Sequence, residues 1–500
     1  MTLKRLALIL VTLVVTLRLV FSLLGSLQEP QVQRRIELYQ TDLVLAASQW
    51  QPPEALNLAI DQIVGDDPDA TAQRQYQAAD NETQASIERL EQQLTTVLLL
   101  DNPAVAEQLQ RTIEKERQFH QRLQLKIGLL QAIAGNTEPA IFAWQRIPRT
   151  ETIAPTAQLL SQLWQDQLPN APLLELVETL EADLSGWFQA QALTQLFTLA
   201  KAPGDLAKVE QLQQRNAETA LLKLGLISIL PALGGLLGVG ILLFLLIQWA
   251  IKRQDSLLGA PLPSWETPWD WETTGLVVAG GFFFFSQIVL ATLLPITLQL
   301  LGIEPTALLL RGKAIYILVS YILMTVGGLT ILFYSLRPFQ PLGKGWFRIS
   351  LGSRWLLWSL GGYWVAIPLV LLASLLNQAL WQGQGGGNPI ILLALEAQDP
   401  VALTIFWSTA AIAAPLFEEI MFRGFLLPSL TRYLPTWGAI GITSLVFAIA
   451  HLSLAELVPL AILGCILGFV YGRSRNLLAC IALHSLWNSG TLVSLFVLGS

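Results

Sequence analysis

The chain has 500 residues, 53% hydrophobic and only 13% charged, against roughly 25% charged in soluble domains. That balance, with a formal net charge of −6, points to an integral membrane protein and away from a nucleic-acid binder. Two cysteines, Cys465 and Cys480, support neither a disulfide framework nor a Cys-based metal site.

Residues 1–25 carry Lys4 and Arg5, followed by an apolar run without a clear A-x-A cleavage site. This reads as an uncleaved anchor or signal-like segment, interrupted by Arg18. Residues 26–222 differ in kind. They are rich in Gln, Glu and Leu, and hold 26 of the 36 Asp and Glu. Apolar residues recur at three- and four-residue spacing, and Asp67-Pro68 and Asn102-Pro103 punctuate the pattern. The expectation is a soluble all-helical extracytoplasmic domain without a catalytic constellation, with His120 solvated on a helix surface.

Residues 223–274 read as a transmembrane helix and linker. From Leu224 onward the apolar runs are long enough to cross a core of about 30 Å. Spans are expected near 225–250, 276–301, 313–336, 355–378, 402–427, 437–454, 457–472 and 477–498. The fold class is therefore all-α, a polytopic transmembrane helical bundle of about eight or nine spans, with an N-terminal soluble helical domain. Lys4, Arg5, Lys252, Arg253, Arg337, Lys344, Arg348, Arg354, Arg432, Arg473 and Arg475 fall on one side, whereas the loop 379–399 has few positive charges. The positive-inside rule puts the basic loops in the cytoplasm and 26–222 outside it.

Glu418 and Glu419 break the apolar pattern in "AAPLFEEIMFRGFL". Ionisable groups at membrane depth mark functional sites by default. Glu419 and Arg423 are i and i+4, so they share a face and can pair. Glu418 is turned about 100° away and needs a partner from another helix, which suits a reactive carboxylate acting as a base toward water. "FAIAH" places the Phe447 ring beside His451. "HSLWN" sets His484 and Asn488 on one face, where they can stabilise an oxyanion or orient a metal ligand. Counted from the loops, Glu418 and His451 lie roughly 20 Å deep and His484 roughly 12 Å at about 1.5 Å per residue. Convergence then requires tilt or a kink, with Pro428 and Gly438 as places for it.

These three motifs resemble those of the CAAX protease and bacteriocin-processing family, which includes the type II CAAX prenyl endoproteases. The resemblance covers roughly 275–500 and is most specific over 413–490. It implies a membrane-embedded endopeptidase domain over 275–500. Glu418 and His451 would activate water, His484 and Asn488 would form the oxyanion hole, and Glu419 and Arg423 would support them. The family is also described as metalloproteases. In that case Glu418, His451 and His484 would ligate a divalent metal such as zinc, and a site of two His and one Glu leaves a position for water. The cofactor is thus either such a metal or none.

No H-E-x-x-H, G-x-S-x-G or P-loop occurs, and no Asp lies between Asp270 and Asp399 to form an aspartyl dyad. The implied partners are the lipid bilayer, a peptide or membrane-protein substrate, and a protein partner through 26–222. The implied location is a bacterial plasma membrane or its equivalent, as a multi-pass protein. A non-enzymatic immunity or scaffold protein and a proton-coupled transporter are the alternatives.

Overall fold

The computed structural model describes residues 2–27, 32–50, 64–99, 103–343, 345–352, 354–381, 385–396 and 399–499. Asn102, Lys344 and residues 382–384 of the polar loop lie outside them. Among the described residues the chain is helical, without a strand. It divides into two compact units, Gln33–Ser228 and Met1–Val32 with Ile229–Ser500.

The membrane unit opens with α1 (Leu3–Ser26). The other unit holds α2 (Gln33–Ala47), α3 (Pro68–Leu99), α4 (Pro103–Ile133), α5 (Thr137–Gln145), α6 (Ala154–Leu163), α7 (Leu173–Asp183) and α8 (Gly186–Leu199). The stripe of apolar residues on each helix closes over a core that includes Leu45, Tyr76, Leu129, Trp144, Leu160, Phe188 and Leu196. A polar knot crosses it. Lys126 donates to Asp42 at 2.9 Å and to Tyr76 at 3.1 Å, and its ammonium lies 4.6 Å from the Phe188 ring centre. Burial, and then Asp42 beside it, push the Tyr76 hydroxyl well above the usual tyrosine range. His120 departs from the solvated state expected of it. Its Nδ1 sits 2.8 Å from buried Asp80, at an angle outside hydrogen-bonding geometry. The long antiparallel contact of α3 with α4 turns that face inward, which periodicity in one helix cannot report.

α9 (Pro203–Lys252) contains the second division between the units. The rest of the membrane unit is α10 (Trp271–Leu300), α11 (Leu310–Leu336), α12 (Trp355–Trp381), α13 (Pro389–Glu396), α14 (Pro400–Leu430), α15 (Thr436–Ile449), α16 (Leu454–Ser474) and α17 (Leu477–Gly499). Eight of the described helices are long and apolar enough to cross a membrane. The protein is an integral multi-pass membrane protein.

The span expected over 437–454 is α15, which has only 14 residues. At 1.5 Å each it covers about 21 Å, short of a core of about 30 Å. The helix stops because the chain reverses through Leu452, in the left-handed region at φ 57°. His451 therefore lies just past the end of α15 and not within a span.

Two close approaches set the helices that carry polar groups. Gly328 of α11 faces Phe417 of α14, where an added Cβ would come within 2.8 Å of the ring. Gly464 of α16 faces Ser444 of α15, where a Cβ would lie 2.8 Å from Ser444 Cβ. Small residues permit this approach where lipid supplies no hydrophobic drive between helices. The linker after α9 is also fixed. Arg473 donates to Ala260 O at 2.6 Å, Arg475 to the Pro263 and Ser264 carbonyls, and Arg432 to Trp269 O. Trp269 Nε1 donates to Ser429 Oγ at 2.9 Å. The basic residues at the ends of α14 and α16 thus clamp backbone carbonyls of the linker.

Gly464→Ala is expected to cost about 1–3 kcal/mol by overpacking, lowering the thermal unfolding midpoint in detergent. Gly441→Ala, where an added Cβ meets nothing within 4 Å, should leave that midpoint unchanged.

Candidate active site

α14 is not a uniform α-helix. Thr409–Ala413 and Ile420–Leu426 are π-helical, and the α-helical turn Ala414–Glu419 between them carries both glutamates. Such wide turns concentrate at functional sites. They also advance less along the axis per residue, so Glu418 and Glu419 lie somewhat nearer the following loop than an α-helical count places them.

Glu419 and Arg423 are both fully buried and pair at 2.8 Å. Glu419 Oε1 also lies 2.9 Å from His484 Nδ1. A carboxylate already held by a guanidinium accepts, so Nδ1 is the donor. Arg423 Nη2 donates to Gly464 O at 3.1 Å, and its guanidinium carbon stands 4.6 Å from the Phe447 ring centre. One ion pair thereby ties α14 to α15, α16 and α17. An isolated charge at this depth costs several kcal/mol, and paired hydrogen bonds offset that cost.

Glu418 is arranged differently. Its side chain is 13% exposed, against 0% for Glu419. Tyr321 of α11 donates to Oε1 at 2.6 Å. Oε2 has no hydrogen-bond partner among the described residues and lies 4.0 Å from His484 Nε2. That distance is too long for a direct hydrogen bond. One water at about 2.8 Å from each atom would reach both.

Phe447 stands between the two imidazoles, with His451 edge-on at 5.0 Å and His484 at 5.7 Å between ring centres. The His451 Nδ1 is 2.9 Å from Phe447 O. A carbonyl can only accept, so Nε2 is the free nitrogen. His451 makes no ion pair with either glutamate among the described residues. Asn488 donates Nδ2 to Ala410 O at 2.7 Å, tying α17 to the first π-helical stretch. One amide hydrogen remains. Glu418, Glu419, Arg423 and His484 are thus in direct contact or facing, His451 joins them across Phe447, and Asn488 is anchored to α14.

Among the described residues no group of three or more His, Cys, Asp or Glu is placed to hold a metal ion. Glu418, His451 and His484 as they stand do not fit a three-ligand zinc site, and no step below is routed through a metal. Sequence reasoning missed Tyr321. A signal was present: it sits about 16 Å inside α11 at 1.5 Å per residue, deeper than the interfacial belt where membrane tyrosines gather.

Residues 400–490 match the family model described as type II CAAX prenyl endopeptidase, Rce1-like. α14, α15, α16 and most of α17 lie in that stretch, with every polar residue of the site except Tyr321. No curated protein and no solved structure matches the chain. This stretch of the membrane bundle is therefore similar to a domain of a protease family.

Arg423→Ala is expected to cost about 3–5 kcal/mol, because Glu419 is left as a buried unpaired charge. The double replacement Glu419→Leu with Arg423→Met should recover much of that loss. Thermal unfolding in detergent measures both.

Proposed function

We propose that this domain is an intramembrane endopeptidase that hydrolyses a peptide bond of a membrane-associated protein or peptide. The observation that carries the proposal is the asymmetry of the two carboxylates. Glu419 is sealed, with Oε1 paired to both Arg423 and His484. Each carboxylate has an Oε2 without a hydrogen-bond partner among the described residues, but Glu418 is 13% exposed, is held at Oε1 by Tyr321, and sets its Oε2 4.0 Å from His484 Nε2. A held carboxylate with one free oxygen beside an imidazole is the arrangement a general base toward water requires.

In this reading Glu418 takes a proton from water, aided by His451, as the water oxygen bonds to the scissile carbonyl carbon. Asn488 donates to the oxyanion that forms, and His484, whose Nδ1–H is committed to Glu419, donates from Nε2 when that nitrogen also carries a proton. The carbon–nitrogen bond then breaks, and Glu418 returns the proton to the leaving amine. Glu419 and Arg423 hold His484 in place. The acidic helical unit 33–228 is proposed as a module that binds a substrate or a partner protein.

Glu418→Ala should lower cleavage by roughly 10²–10⁴-fold while insertion and unfolding midpoint stay as in wild type. Proteomics of a Glu418→Ala strain should show an uncleaved membrane substrate, and cleavage that survives the substitution refutes the assignment. Deleting 33–228 should change cleavage rate or substrate choice. If neither changes, the unit has no such role.

A further inference from the structure

Tyr321 lies outside the stretch that matches the protease family model, on a helix that joins the site only through the fold. We infer that Tyr321 is a positioning residue for Glu418, fixing which carboxylate oxygen faces His484 Nε2. The inference deepens the endopeptidase reading and rests on it for its catalytic consequence.

Two observations and the torsional freedom of a glutamate carry it. The phenol hydroxyl donates to Glu418 Oε1 at 2.6 Å, a short contact of the kind made with a charged or strongly accepting oxygen. The other oxygen of the same carboxylate is left without a partner and lies 4.0 Å from His484 Nε2. The terminal torsion of a glutamate is broad and roughly two-fold, so an untethered carboxylate would turn freely, and one tether on Oε1 removes that freedom.

The ring that carries the hydroxyl is itself held. Tyr321 is edge-on to Phe417 at 6.3 Å between ring centres. Phe417 is fully buried and packs on Gly328, seven residues further along the same face of α11. Gly328 lets α11 approach α14 closely enough for the hydroxyl to reach, and Phe417 sets the ring's angle. A tyrosine that only glued two helices would accept any polar partner. This one is bonded to the partly open glutamate, beside the sealed pair.

The groups around Glu418 divide the work. His484, which is bonded to Glu419 on its far side, faces Oε2. Arg423 is committed to Glu419 and to Gly464 O. Among the described residues Tyr321 is the hydrogen-bond donor to Glu418 itself.

The test uses the full chain in liposomes as wild type, Tyr321→Phe, Glu418→Gln and the double variant, with Tyr316→Phe as a control on the same helix. Infrared difference spectra of the carboxylate stretching region are expected to show a band shift when Tyr321→Phe is made beside Glu418. That shift should vanish in the Glu418→Gln background and be absent for Tyr316→Phe. Identical difference spectra in both Glu418 backgrounds overturn the inference. On a liposome-anchored reporter ending in a prenylated CAAX sequence, Tyr321→Phe should lower kcat about 10–100-fold with KM within about twofold. Unchanged kcat on a cleaved reporter also overturns it. If wild type leaves that reporter intact, the endopeptidase reading fails for this substrate class, and the infrared comparison still decides whether Tyr321 holds Glu418.

Discussion

A carboxylate buried in a lipid-surrounded bundle has to be matched, and the Glu419 carboxylate is matched by Arg423 and His484 together. The other parts of the site hang on that contact. Arg423 reaches across to Gly464 O and lies over Phe447, and His484 is turned so that its second nitrogen faces Glu418. Neither charge is tolerable until α14, α15, α16 and α17 are assembled, so the ion pair couples the order of the helices to the order of the site.

The pair leaves its neighbour free to differ. Glu418 and Glu419 are adjacent in the chain, yet one is sealed and the other meets a partly open space. Adjacent positions on the α-helical stretch Ala414–Glu419 are turned about 100° apart, so the two side chains point in different directions. Two like carboxylates are given unlike surroundings, one sealed in an ion pair and the other partly exposed and bonded to Tyr321.

Close approach makes this possible, and glycine makes the close approach possible. Gly464 brings α16 under Ser444 while its carbonyl receives Arg423, and Gly328 brings α11 onto Phe417 while Tyr321 reaches Glu418. At the end of the bundle where α14 and α16 finish, arginines bind the carbonyls of the linker. Basic residues that the positive-inside pattern reads as a topological signal also hold backbone in place.

Much was legible from residues alone. Long apolar runs determined a polytopic helical membrane protein, because only helices satisfy their backbone within lipid. The i, i+4 spacing of Glu419 and Arg423 determined a pair, since it depends on one helix; the ring contact of Phe447 with His451 was also expected from spacing, and it holds although His451 lies just past the end of α15. What lay between helices was decided by the tertiary structure. That His484 bonds Glu419, that Asn488 spends a donor on Ala410, that His120 faces Asp80 and that Tyr321 holds Glu418 all depend on chain segments far apart in sequence. So did the early end of α15, set by the reversal at Leu452. Periodicity reports the face of a helix and not the neighbour across from it, and in this protein the neighbours across from α14 are what make two glutamates into a site.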